Sequence, residues 1–216
     1  MKLETTALYT DRGTNIQWQQ LYWLVSEERR QKADRIRREE QKRQSLAAGG
    51  LLEYLLKKNG INGPYHYGAT KWGRPFLRSW DDVNREREDI FFSLSHTNAL
   101  AVCAVSDRPV GVDAERIQAN REKIVSRFFT SSERKAMEAD ASKETFFRIW
   151  TQKEAWAKLT DRPLLDVLGE EFPEDGRSWS MCREGYAFTV CSVQPIYEKN
   201  IDFISMETLL AGLKKH

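Results

Sequence analysis

Gly111-Val112-Asp113-Ala114-Glu115 and, 35 residues after Glu115, Trp150-Thr151-Gln152-Lys153-Glu154-Ala155-Trp156-Ala157-Lys158 hold the residues of this chain best suited to shared chemistry. The first lies in a segment, Pro109 to Ile117, that reads as a buried strand behind the apolar run Ala99 to Val105. Residues two apart on a strand point to one face, so Asp113 and Glu115 stand side by side, about 7 Å apart, while Val112 and Ala114 face the core. Two carboxylates on one face of an apolar strand repel unless a cation or a shared proton lies between them. The second segment reads as a helix with Glu154 and Lys158, four apart, on one face. A third carboxylate brought to the first two completes a hard oxygen site of the kind Mg²⁺ prefers. Lys158, one turn on, is placed to hold phosphate oxygens.

The elements that must position these groups follow from periodicity and turn chemistry. A strand is expected over Leu3–Tyr9 and a short helix over Asn15–Leu24. Ser26 can cap a longer helix that reaches about Lys58 and ends at Asn59-Gly60. Short strands are expected near Tyr65–Tyr67 and Phe76–Leu77, and Arg78 to Asp89 reads as a polar loop. Phe91–Ser95 and Leu100–Val105 read as strands joined at Thr97-Asn98, followed by the strand through Asp113. Arg121 to Thr160 reads as helical in pieces. A strand pair around Glu184-Gly185 and a closing helix over Met206–Lys215 complete the chain. Helix-then-meander occurs about twice, with a break near residue 108 and no low-complexity linker, so one α+β unit is expected.

Composition narrows the function classes. The 216 residues are 31% charged and 40% hydrophobic, ordinary for a water-soluble domain with a real core. A formal net charge of +2 gives no global field for nucleic acid or membrane. No secretory h-region and no membrane-length apolar run are present. Three cysteines, Cys103, Cys182 and Cys191, without metal-ligand spacing, favour reduced thiols in a cytosol. Cys103, inside an apolar run, reads as core filler.

With these segments in order the chain resembles the surfactin-type 4′-phosphopantetheinyl transferases. Gly111-Val112-Asp113-Ala114-Glu115 and Trp150-Thr151-Gln152-Lys153-Glu154, with Lys158 in register, match that family's signature. Gly73-Arg74-Pro75, Phe92-Ser93-Leu94-Ser95-His96 and Arg127-Phe128-Phe129-Thr130-Ser131-Ser132-Glu133 match further motifs in the same order. The resemblance runs from about residue 25 to about residue 165. It implies two pseudo-symmetric α/β halves in one compact monomer, with the active site in the cleft between them. Residues 1–108 would contact the phosphates and adenine of coenzyme A, and residues 109–216 would supply metal-binding and catalytic groups. It implies Mg²⁺ (Mn²⁺ being the alternative) on Asp113, Glu115 and Glu154, and coenzyme A held by Arg29, Lys32, Arg74, Ser95, His96 and Lys158. The partner would be an apo acyl carrier protein or peptidyl carrier protein domain in the cytoplasm, serving fatty acid, polyketide or nonribosomal peptide biosynthesis, with no nucleic acid and no membrane. Glu154, Lys158 and Glu133 are the implied catalytic residues, with Glu154, or a water it orients, as base to the carrier serine. An apolar Ala114 between the acids gives no further ligand from that strand. The carrier is expected to dock near Arg116 to Phe129, with Lys123 facing an acidic helix.

Several of these residues also have simpler readings. Thr130-Ser131-Ser132-Glu133 is a capping box, which accounts for Glu133 without chemistry. Taken alone, Glu154 and Lys158 form an ordinary helix-face pair; the flanking Trp150 and Trp156 anchor that helix instead against the body of the protein. Residues 27–44 carry eight Lys or Arg against five Asp or Glu, a pattern that a solvated helical face explains for most of them. Arg43 is a further phosphate candidate on that face. His96 leaves an apolar strand placed to donate to phosphate, and Arg74 presents a planar fork in a stiff turn. Two other functions compete: a metal-dependent nucleotide phosphohydrolase using similar carboxylates, and a nucleic-acid binder, which leaves the clustered acids unexplained because they repel phosphate without a metal.

Overall fold

A computed structural model describes residues 1–79, 86–118, 122–140, 142–172 and 175–214, with the side chains of residues 122 and 123 left out. The chain is a mixed α/β protein. Strand β1 (Glu4–Tyr9) opens it, followed by α1 (Asn15–Leu24), α2 (Glu27–Asp34) and α3 (Glu39–Lys58). The hairpin β2 (Tyr67–Ala69) and β3 (Pro75–Leu77) precedes β4 (Phe91–Thr97), β5 (Leu100–Ser106) and β6 (Val110–Arg116). Then come α4 (Glu122–Phe128), α5 (Ser131–Ala139), α6 (Lys143–Thr160) and α7 (Leu164–Val167). Strands β7 (Ser178–Arg183), β8 (Tyr186–Ser192) and β9 (Asp202–Phe203) and helix α8 (Met206–Lys214) end it.

The strands form a sheet of order β4-β5-β1-β9, a second of order β6-β8-β7, and the separate β2-β3 hairpin. One face of the first sheet, through Leu8, Phe92, Ala101 and Cys103, packs on α1, α3 and α8. Its other face, through Ala7, Leu100, Val102 and Ala104, packs on Val112, Ala114, Phe188 and Val190 of the second. Strand alternation then leaves Gly111, Asp113 and Glu115 on the face that α6 covers. The carboxylates thus lie between a sheet and a helix, as the two-residue spacing implies.

Strands β4 and β6 meet edge to edge without a backbone ladder. The amide of Val112 donates to Ser93 Oγ at 3.0 Å, and that of Ala114 to Ser95 Oγ at 3.3 Å. Two serines in an apolar strand thereby satisfy the buried amides where the sheets join. Helix α6 approaches β6 closely at Gly111, where a Cβ would lie 1.9 Å from the carbonyl oxygen of Ala155. Gly111→Ala should therefore lower the unfolding free energy by roughly 1–3 kcal/mol, the usual range for overpacking against a fixed neighbour. Urea midpoints measure it. An unchanged midpoint would mean that α6 can move off β6 freely.

The single helix expected from Ser26 to Lys58 is broken at residues 35–38. The break folds α2 back onto α3, where Gly49 makes room: a Cβ there would sit 2.8 Å from Arg29 Cδ. Ser26 occupies the N-cap of α2 but makes no side-chain capping bond; its backbone N–H donates to Glu53 Oε2 at 2.9 Å. The strand pair turns at Glu184-Gly185, both at positive φ, as the sequence anticipates. The chain's end returns to the first sheet: β9 pairs with β1, and α8 packs on α1 and α3.

Candidate active site

Three elements bring the candidate residues together. Strand β6 presents Asp113, which is 2% exposed. Its Oδ1 accepts from Ser95 Oγ of β4 at 2.7 Å and from Lys158 Nζ of α6 at 2.8 Å. Its Oδ2 is buried with no hydrogen-bond partner. Lys158 also donates to the carbonyls of Val112 at 3.1 Å and Leu94 at 3.3 Å. Its ammonium thus serves as the counter-ion of Asp113 and ties both strand edges to α6. Ser95, expected to contact the coenzyme, donates to Asp113 here. One strand step on, Glu115 Oε2 accepts from Thr97 Oγ1 at 3.1 Å.

Glu154 completes the group from α6. Burial pushes its carboxyl up to about 7, with the charges of Asp113 and Glu115 adding to the rise and Lys158 opposing it. Three carboxylates therefore share one electrostatic field. Among the described residues no three His, Cys, Asp or Glu side chains stand close enough to clasp a metal ion as they are. The donor set nevertheless suits a hard divalent cation. A buried carboxylate oxygen has no partner, a second carboxyl is pushed up by burial and by its acidic neighbours, and one ammonium balances part of the charge.

His96 lies at the open end of β4. Loss of hydration pushes its imidazole down, and so do the charges of Lys158 and Lys32, so it is neutral at neutral pH. Lys32 is itself pushed down by partial burial and by Arg29. The structure thus groups Lys32, His96 and Lys158. It sends Arg29 elsewhere: that residue is 8% exposed, its guanidinium 4.1 Å from the Tyr67 ring, with Nε and Nη2 buried without a partner. Arg43 pairs with Glu39 at 3.2 Å and donates to Asn15 at 2.9 Å, which satisfies it on the helix surface.

Arg74 stands across a cleft of about 370 Å³ whose lining includes Trp72, Arg74, Glu154, Lys158 and Asp161. Glu133 forms the capping box read from sequence, its Oε2 accepting from the Thr130 amide at 2.8 Å. Its Oε1 meets Lys153 Nζ at 2.7 Å. Both oxygens of Glu133 are thus engaged in structural contacts. Lys153, the residue before Glu154, is fully buried; a lysine inside a signature dominated by Glu154 and Lys158 gave no signal of this. The side chain of Lys123 lies outside the described residues.

Residues 109–191, which carry both acids of β6 and all of α6, match the profile of the 4′-phosphopantetheinyl transferase superfamily. Across 213 residues the chain is 25% identical to the 4′-phosphopantetheinyl transferase Sfp of Bacillus subtilis (strain 168), covering 87% of this chain and 90% of that protein. Along most of its length the chain is similar to the surfactin-type 4′-phosphopantetheinyl transferases. The chain is also 26% identical over 225 residues to psf-1 of Bacillus pumilus, covering 94% of each. It is 30% identical over 152 residues to HetI of Nostoc sp. (strain PCC 7120), covering 67% of this chain and 62% of that one. The two longer alignments extend well beyond the matched profile, so the chain resembles those relatives outside the acid-bearing half as well. No described helix is long and apolar enough to cross a membrane.

Proposed function

We propose that this protein transfers the 4′-phosphopantetheine group of coenzyme A to a serine of an apo acyl or peptidyl carrier protein, with Mg²⁺ (or Mn²⁺) as cofactor. The observation that carries this is the meeting of Asp113, Glu115 and Glu154 beside Lys158, inside the segment that matches the family profile. Asp113, Glu115 and Glu154 would hold the ion, which supplies charge neutralisation on the pyrophosphate. The chain's own residues do the rest. Lys32 and His96 hold the 3′-phosphate, with the Arg29 charge behind them. Arg74 faces the nucleotide across the cleft. Lys158, beside Asp113 at the cleft, would hold the phosphate oxygens.

The carrier serine oxygen attacks the β-phosphorus that bears pantetheine. The bond from that phosphorus to the bridging oxygen breaks, and adenosine 3′,5′-bisphosphate leaves. The serine proton passes to Glu154 or to a water it orients; a carboxyl held near 7 is well matched to that task at neutral pH. Residues 1–108 supply most nucleotide contacts and residues 109–216 the acids, as two pseudo-equivalent halves of a cytoplasmic monomer. The free thiols, two of them buried, suit a reducing compartment.

Incubation with coenzyme A, Mg²⁺ and several unrelated apo carriers tests the reading by intact mass. A carrier serine should gain one phosphopantetheine arm, chelator should stop the gain, and Mg²⁺ should restore it. No gain on any carrier counts against the transfer. Release of adenosine 3′,5′-bisphosphate without a carrier would favour the phosphohydrolase.

A further inference from the structure

Asp161 ends α6 in the left-handed region, at φ 52° and ψ 49°, where glycine or asparagine is the usual residue. Its side chain leaves the helix and reaches the turn of the β2-β3 hairpin. Thr70 Oγ1 donates to Asp161 Oδ1 at 2.8 Å, and the same hydroxyl accepts from the Arg74 amide at 3.1 Å. Asp161 Oδ2 lies 3.9 Å from Arg74 Nε, a buried N–H with no hydrogen-bond partner. Arg74 Nη2 donates to Glu86 at 3.2 Å.

The turn holds its own shape. Thr70 N–H donates to the Arg74 carbonyl at 2.9 Å, and Gly73 N–H to that of Thr70 at 3.0 Å. No ladder joins this hairpin to either sheet. What Asp161 fixes is therefore where the turn stands relative to α6, and so the width of the cleft that Arg74, Glu154 and Lys158 line together. We propose that Asp161 is a positioning residue that latches the Thr70–Arg74 turn to the end of the catalytic helix and so sets Arg74 for the anionic nucleotide of coenzyme A. This rests on the transferase reading above.

Asp161→Gly tests it, because glycine suits the left-handed position and the helix stop survives. Amide hydrogen exchange at residues 67–77 reads the latch with no substrate present. Steady-state kinetics with coenzyme A reads its use. A hydrogen bond to a charged group, once lost, implies about 10-fold faster exchange in the turn and about a 10-fold higher KM for coenzyme A. The fall in kcat should be smaller than the rise in KM, which general destabilisation does not produce. Thr70→Val should give the same shifts, and the double variant should add little to either, since both remove one contact. Asp161→Asn keeps an acceptor for Thr70 and a residue at ease with positive φ, so it should stay near wild type in both readouts. Wild-type exchange and KM in Asp161→Gly, or shifts that simply add in the double variant, overturn the latch. Failure of the wild type to modify any carrier overturns the transferase reading instead, and the exchange measurement separates the two.

Discussion

Glu154→Gln should fold and yet transfer phosphopantetheine at least about 100-fold more slowly than wild type at saturating Mg²⁺, a typical general-base contribution. The substitution removes a formal charge from the carboxylate group and a carboxyl that titrates near neutral pH beside the cleft. The same electrostatics gives a second, opposite readout. Glu154 titrates at about 7 in the folded chain against an ordinary 4.5, chiefly because of burial and then Asp113. Its contribution to stability is therefore fully present below 4.5 and is lost as pH rises through 7. Glutamine stays neutral throughout, so without metal the variant should match wild type in acid and exceed it above pH 7. Thermal melts at pH 5 and pH 8 in chelator, beside turnover in Mg²⁺, check both halves. Full turnover in the variant would place base and cation elsewhere.

The acid pair was legible because a strand's period of two is rigid: once Pro109 to Ile117 is a strand, Asp113 and Glu115 must share a face. The helix through Glu154 was legible for a similar reason, and the glycine at 111 proves to be the clearance α6 needs. Less visible was what the polar residues between the motifs do. Ser93 read only as part of a family motif and Ser95 as a coenzyme contact; in the fold both satisfy amides of β6 where two sheets meet without a ladder. That need arises only from the tertiary join. The break at residues 35–38 was hidden because the surrounding residues are good helix formers; the space above Gly49, which lets Arg29 pack inward, decides it. The return of α8 to the first sheet left no local signal, since an amphipathic helix does not state which surface it covers.

Lys153→Ala should destabilise the fold by about 3–5 kcal/mol, the range for breaking a buried pair by removing one partner. The Lys153 side chain is 0% exposed and that of Glu133 11%. The ammonium also donates to the Glu170 carbonyl at 3.4 Å and lies 5.0 Å from the Phe172 ring. Alanine leaves Glu133 a partly buried carboxylate that still accepts from the Thr130 amide. Read from sequence alone, Glu133→Gln should be mild, because glutamine still caps α5. The pair alters that expectation: the same change strands the Lys153 charge, so it too should lower the urea midpoint. Removing both charges at once should restore most of the loss, because buried pairs replaced by apolar groups of similar volume are often neutral. The double variant Lys153→Met/Glu133→Gln therefore separates structure from chemistry. If Glu133 acts only through packing, the double variant regains its midpoint and keeps most of its transfer rate. A double variant that folds like wild type but transfers nothing would make Glu133, not Glu154, the group that takes the serine proton.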